Sequence, residues 1–271
     1  MSKIEKAVER AKKKRDENQQ ETRLEVASEV AAAGEKAPLY TKTKSVPLKD
    51  SHLEKYRIIT HLGDSRMIDS YNLLRTQVLQ RTRDKGYNNT IMVTSVVEGE
   101  GKTVTAINLA ASIAKEVQHT VLLVDADLRK PKVHYYLGCD RAKGLSDYIL
   151  DNVPLSQLFI NPGFGKMIVL LAGKPLSGST EILDSPMIEK LVQEMKTRYP
   201  DRYVIFDCPP VLTVPDSLIF SSYVDGIILV VEAGKTSRKQ IRKAIELLDG
   251  KNILGLVMNK GKKVEQSDYY Y

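Results

Sequence analysis

The stretch TIMVTSVVEGEGKTVTAINLAA, residues 90–111, changes character twice. Residues 90–96 are apolar and rich in β-branched side chains, which predicts a short buried strand. Gly99 and Gly101 then let the backbone curl close to a ligand. From Lys102 to Val117 the apolar residues Val104, Ile107, Ala111, Ile113, Ala114 and Val117 fall mostly on one face, which predicts a helix. Strand, glycine-rich turn and helix in that order make a phosphate site. The helix start offers free N–H groups and the positive end of its dipole to an anion. Lys102 can reach β- and γ-phosphates, and Thr103 offers a hydroxyl to Mg²⁺. The strict GxxxxGK[ST] pattern is not met, because Val96 stands where its first glycine would be. The plain alternative is a glycine-rich turn without chemical role.

Working outward, the same alternation continues. The runs TVLLVDA (120–126), MIVLLAG (167–173), YVIFD (203–207), GIILVVE (226–232) and ILGLVMN (253–259) read as strands. Residues 65–83, 187–199 and 237–249 read as helices. Near-continuous apolar strands separated by helices predict an α/β fold: a mostly parallel sheet with helices on both faces. Such sheets bind ligands at the carboxyl ends of their strands, and two of these strands end in acids. In LLVDADLRKP (122–131), Asp125 and Asp127 are two residues apart, on one side of an extended chain. In YVIFDCPPVL (203–212), Asp207 ends the strand, and Pro209 and Pro210 stop it. Beside a phosphate loop these carboxylates suit Mg²⁺ handling or proton abstraction; elsewhere they would be a cap and surface acids. A second Gly-Lys-Thr, 234–236, has no companion glycine or carboxylate and reads as an ordinary helix start.

The flanks differ. Residues 1–55 read as a charged N-terminal helix and a linker. The helix, 1–20, carries a thin stripe of Ile4, Ala7, Val8 and Ala11; the linker, about 20–50, is polar and alanine-rich. Residues 56–262 form the expected nucleotide-binding domain, and 263–271 a tail ending EQSDYYY. Three adjacent tyrosines at a terminus are poor core material. They serve either as a docking end or as hydroxyl substrates.

The chain has 271 residues and a formal charge of +7. No apolar run approaches the roughly twenty residues of a membrane span, and the N-terminus lacks a secretory apolar region. A cytoplasmic protein is expected, with Cys139 and Cys208 as reduced thiols. No nucleic-acid motif accompanies the positive charge, so no nucleic-acid partner is expected. His52, His61, His119 and His134 lack the spacing of a zinc site.

The three motifs together resemble those of the bacterial tyrosine kinases, P-loop proteins unrelated to the eukaryotic kinases. Lys102 and Thr103 sit in the place of Walker A, Asp125, Asp127 and Arg129 in that of Walker A′, and Asp207, Pro209 and Pro210 in that of Walker B. The tyrosine cluster is the family's last feature. The opening residues and RTQVLQRTR resemble the cytoplasmic autokinases of exopolysaccharide and capsule loci, in their exosortase-associated branch.

The resemblance implies a P-loop NTPase-like fold and an ATP- and Mg²⁺-dependent tyrosine autokinase that regulates exopolysaccharide synthesis, chain length and export. The implied catalytic residues are Lys102, Asp125, Asp127 and Asp207. The nucleotide would touch Gly99, Glu100, Gly101, Lys102, Thr103, Val104 and Arg129, with Asn259 at the adenine. Thr103, Asp127 and Asp207 would hold the metal. Tyr269, Tyr270 and Tyr271 would accept phosphate, in trans. A membrane chain-length-determinant (polysaccharide co-polymerase) protein would activate the chain and recruit it to the inner face of the membrane.

Two departures stand out. Glu98 occupies a position that is often proline in the family, where its charge either turns away or weakens nucleotide binding. The family's oligomerisation motif ExxRxxR is only partly met, by Asp69, Asn72 and Arg75, which puts a ring-shaped homo-oligomer in question. Two rival readings are a nucleotide-dependent, non-catalytic adaptor and a switch ATPase of the partitioning or septum-placement type. The second normally carries a lysine where Val97 stands.

Overall fold

In the computed structural model, residues 43–59, 64–83 and 88–261 are described, all within one unit spanning Thr41–Tyr271. In chain order the elements are β1 (Lys44–Ser45), α1 (Asp50–Lys55), α2 (Ser65–Arg83), β2 (Thr90–Ser95), α3 (Lys102–Ile113), β3 (Thr120–Asp125), α4 (Val133–Leu137) and α5 (Leu145–Asp151). Then come β4 (Phe159–Asn161), β5 (Met167–Leu170), α6 (Ser179–Leu183), α7 (Pro186–Thr197), β6 (Arg202–Asp207), α8 (Asp216–Phe220), β7 (Gly226–Glu232), α9 (Arg238–Leu247) and β8 (Ile253–Asn259). The strands form one sheet in the order β1-β4-β5-β3-β6-β2-β7-β8. Among the described residues only the β4–β5 pair is antiparallel. The expected α/β class, mostly parallel with helices on both faces, is what the chain adopts.

Every residue of β2, β3, β5 and β6 is buried. This is why those strands read as unbroken apolar runs: both of their faces are covered. On one face Ile91, Val93, Val121, Leu123, Ile205, Ile228 and Val230 pack with Ala106, Leu109, Ala110 and Ile113 of α3. Ten of the twelve residues of α3 are buried, because α2 lies over it in turn. On the other face Phe206 meets Phe220 of α8, their ring centroids 4.9 Å apart, and α7 covers β6. Pro186 opens α7 at a position where its missing N–H costs nothing.

Two expected boundaries move. The helix after the phosphate loop ends at Ile113 rather than Val117, and Val117 is exposed. More significantly, residues 44–55 are not linker. β1 pairs in parallel with β4 and extends the sheet, and Leu53 of α1 is buried in the core. Asn108 of α3 fastens the segment that follows: its Oδ1 accepts from the Ile59 amide and its Nδ2 donates to the Arg57 carbonyl, both at 2.9 Å. The body therefore begins before residue 56. The charged helix over 1–20, the linker up to residue 42 and the tyrosine tail lie outside the described residues.

Candidate active site

The register of the sheet assembles the site. Asp207 at the end of β6 pairs with Val93 of β2 on one side and Asp125 of β3 on the other. The three motif-bearing strand ends are therefore neighbours, although 105 positions separate Lys102 from Asp207. After β2 the chain enters the loop Val96–Gly101, where Gly99 and Gly101 take φ of +91° and +94°. A Cβ on Gly101 would lie 2.1 Å from the Asn259 side-chain nitrogen. The left-handed φ requires glycine there, and any side chain would also displace the Asn259 amide.

Lys102 opens α3 and turns its ammonium into the carboxylates. Its Nζ lies 2.9 Å from Asp127 Oδ2 and 3.4 Å from Asp207 Oδ1. Burial works against the charged lysine, but the facing carboxylates of Asp207 and Asp127 outweigh it and raise its pKa above the ordinary value. Asp207 is fully buried. Burial raises its pKa, opposed by Lys102 and by a hydrogen bond from Thr103. Asp125, also fully buried, is pushed up to about 8, first by burial and then by the Asp207 charge, against the Val133 amide and Lys102. Its two oxygens accept from the Asp127 and Val133 amides at 3.3 and 3.0 Å. Asp125 thus stands behind the site and shapes the loop that carries Asp127. Of the three aspartates, Asp127 is the one that lines the cavity.

That cavity measures about 180 Å³, and its lining includes Gly99, Gly101, Lys102 and Thr103 together with Arg129, Lys132, Tyr136 and Pro210. The basic rim suits an anionic ligand. Glu98, also on the rim, is ion-paired with Lys130 at 2.8 Å, so its negative charge does not face phosphates alone.

Several anticipated ligand residues have other engagements. The Glu100 side chain is only 1% exposed; its carboxylate accepts from the Val97 amide at 2.8 Å and from the Thr236 hydroxyl. Its backbone is the part left for a ligand. Val104 packs its side chain against the core. Arg129 lines the cavity, but its guanidinium is forked onto Asp216 at 3.1 and 3.2 Å and donates to Thr180 at 2.7 Å. Asn259 donates from Nδ2 to the Glu100 carbonyl at 2.8 Å. Arg75 of the partial oligomerisation motif is held inside the chain by the Ser112 carbonyl, at 3.1 Å, and by Glu116, at 3.0 Å.

Sequence reasoning missed Asp216 and Thr236. Asp216 is fully buried and accepts from Arg129, Ser179 and Thr180; these bonds outweigh its burial and lower its pKa. Thr236 belongs to the Gly-Lys-Thr set aside as a helix start. Ser237 does cap α9 through a capping box with Gln240, but Thr236 itself reaches the phosphate loop.

The donors present fit a magnesium ion. Asp207 Oδ2 is buried without a hydrogen-bond partner, and the Thr103 hydroxyl adjoins the same carboxylate. Among the described residues no three His, Cys, Asp or Glu side chains converge on one point. That arrangement suits a hard cation bound through one or two protein oxygens, phosphates and water.

Fold and site together define a nucleotide-binding P-loop protein. The AAA domain family matches residues 88–251. The tyrosine-protein kinase YwqD of Bacillus subtilis is 35% identical over 205 residues, which cover 75% of this chain and 85% of that protein. The tyrosine-protein kinase CpsD of Streptococcus agalactiae is 32% identical over 193 residues, covering 70% of this chain and 82% of that protein. The solved kinase domain of the Escherichia coli tyrosine kinase ETK superposes with a TM-score of 0.71 at 26% identity, covering 84% of this chain and 92% of that one. The chain belongs to the bacterial tyrosine-protein kinase family. Among the described residues no helix is long and apolar enough to cross a membrane.

Proposed function

We propose that this chain transfers the γ-phosphoryl group of ATP to tyrosine hydroxyls, and that its acceptors include Tyr269, Tyr270 and Tyr271 of a neighbouring copy. The observation that carries the reading is the meeting of Lys102, Asp127 and Asp207 at the mouth of a phosphate loop, in a chain 35% identical to a tyrosine-protein kinase. A phenol with a pKa near 10 attacks slowly at neutral pH unless a base takes its proton. Asp127, the carboxylate that reaches the cavity, accepts that proton. The new bond forms between the tyrosine oxygen and the γ-phosphorus. The bond from that phosphorus to the β–γ bridging oxygen breaks, and ADP leaves. Lys102 and the loop amides stabilise the charge on the transferred group. Magnesium, held by Thr103 and Asp207, would neutralise the β- and γ-oxygens.

The tail can reach outward: Gly261 to Tyr271 spans about 33–36 Å when extended. Each phosphate adds roughly −1.5 to −2 charges, so a phosphorylated cluster repels acidic surfaces and releases a subunit from its neighbours. In this reading the chain regulates exopolysaccharide chain length and export. It works in the cytoplasm, docked on a membrane chain-length-determinant protein. The Glu98–Lys130 pair weakens the case for the non-catalytic adaptor, which rested on an uncompensated Glu98.

The test is to incubate the purified chain with Mg²⁺ and ATP and to map phosphate by mass spectrometry, alongside a variant with Tyr269, Tyr270 and Tyr271 changed to Phe. Phosphotyrosine on the cluster, lost in the variant, is expected. ATP binding without any phosphotyrosine, even with the membrane partner's cytoplasmic segment added, would establish the adaptor instead.

A further inference from the structure

The phosphate loop is held from outside by the end of β8. Lys260 Nζ donates to the Gly99 carbonyl at 2.6 Å, and Asn259 Nδ2 donates to the Glu100 carbonyl at 2.8 Å. These are consecutive peptides. A peptide is planar and trans, so each carbonyl points opposite to the N–H that follows it. Holding the oxygens of Gly99 and Glu100 on the β8 side aims the amides of Glu100 and Gly101 the other way. Gly99, Gly101 and Lys102 line the cavity, whereas Asn259 and Lys260 do not. Left to turn freely, either carbonyl could swing inward and present an oxygen to the phosphates.

The holding group is itself fixed. Lys260 has a left-handed φ of +58°, uncommon for a residue with a side chain. Its amide donates to Asn259 Oδ1 at 2.8 Å, and its Nζ also meets Glu232 at 3.0 Å. Glu232 lies at the end of β7, and its amide donates to Thr236, the threonine that braces Glu100. The strained conformation is thus constrained from both sides, as expected where a side chain has a defined task.

We infer that Lys260 is a positioning residue for the phosphate loop: by holding the Gly99 carbonyl it orients the loop's amides toward the bound phosphates. The inference rests on the nucleotide reading above. It departs from a simple charge effect, and the protein supplies its own control. Lys235 meets the same Glu232 carboxylate at 3.4 Å, and no hydrogen bond joins it to the loop.

The experiment is calorimetric titration of Mg²⁺ and ADP into the parent chain and into Lys260→Met, Lys260→Arg and Lys235→Met, with a thermal melt of each. Lys260→Met should weaken ADP binding ~tenfold, the scale of one charge-assisted hydrogen bond. Lys260→Arg should restore most of that affinity, and Lys235→Met should change it about twofold or less. Equal losses in the two Met variants would reduce Lys260 to a surface charge and overturn the inference, as would unchanged affinity in Lys260→Met. A parent chain that binds no ADP would overturn the nucleotide reading itself, and the role of Lys260 with it.

Discussion

Replacing Lys102 with Met is the obvious way to silence the site, and the structure predicts that it also destabilises the protein. Coulomb's law at an effective dielectric of about 20 gives ~6 kcal/mol for a charge pair at the Asp127 distance of 2.9 Å and ~5 kcal/mol at the Asp207 distance of 3.4 Å. Desolvation of three buried groups offsets much of this, so the net worth of the pairs is small. Removing the lysine alone is different. It leaves Asp127 and Asp207 facing one another and Asp125 with no cation among them, and an orphaned buried charge costs about 3–5 kcal/mol. For a body of this size, that is a fall in Tm of roughly 6–20 °C at 2–4 °C per kcal/mol.

The cost depends on pH. Lys102 is charged in folded and unfolded states alike below about pH 9, so the dependence comes from the carboxylates. Asp125 titrates near 8 in the fold and near 3.9 unfolded. Folding therefore takes up a proton between those values, and stability falls as pH rises across them, by at most about 1.4 kcal/mol per unit for one group. Asp125 and Asp207 are harder still to ionise without Lys102. The gap between parent and variant should be wide at pH 8.5 and narrow at pH 5.5. Denaturant melts of the nucleotide-free proteins at both pH values measure it. A gap below ~1 kcal/mol at pH 8.5, or one that widens toward acid, would refute the view that Lys102 neutralises this cluster.

Further predictions concern the surroundings of the site. Gly101→Ala places a Cβ 2.1 Å from Asn259 at a φ of +94°, so it should abolish nucleotide binding, as titration would reveal, while the protein still folds. Arg129→Ala strands the buried Asp216 carboxylate and should cost about 3 kcal/mol in a urea melt; Arg129→Lys should recover only part, since an ammonium cannot reproduce the fork. Glu98→Gln breaks an ion pair whose side chains are both more than half exposed, and the melting curve should move by less than ~1 kcal/mol.

The central strands were legible because a strand covered on both faces shows a short apolar, β-branched run: Ile91–Val93, Val121–Val124 and Tyr203–Phe206 are unbroken. The same logic located Asp125 and Asp207, which close such runs, and with them Asp127 two residues on; Lys102 was legible from the glycine-rich turn that leads into a helix. β1 and β4 were not legible, because strands of two and three residues carry no period to read. Asp216 resembled any helix-start acid, and only the fold brings Arg129 to it across 87 positions. Thr236 was dismissed for lacking a companion carboxylate nearby. Its companion, Glu100, lies 136 positions away. Partners at such separations leave no local spacing, so no pattern in one chain could have revealed them.

The position of β6 bears on how the protein is made. β2 and β3 are joined early by α3, yet in the finished sheet they are not neighbours; β6 lies between them. Two strand spacings, about 9.5 Å, separate them. A nascent chain that has emerged only as far as α7 already carries the loop lysine and both acids at the end of β3, but not the strand that sets their distance. Joining the two halves prematurely would close the slot that β6 must enter. Completion is a long-range event, of the kind that slows folding. On the proposed function, a nucleotide that requires Lys102, Asp127 and Asp207 together would recognise only the chain in which β6 has been inserted. By mass action it then draws newly synthesised molecules toward the completed sheet.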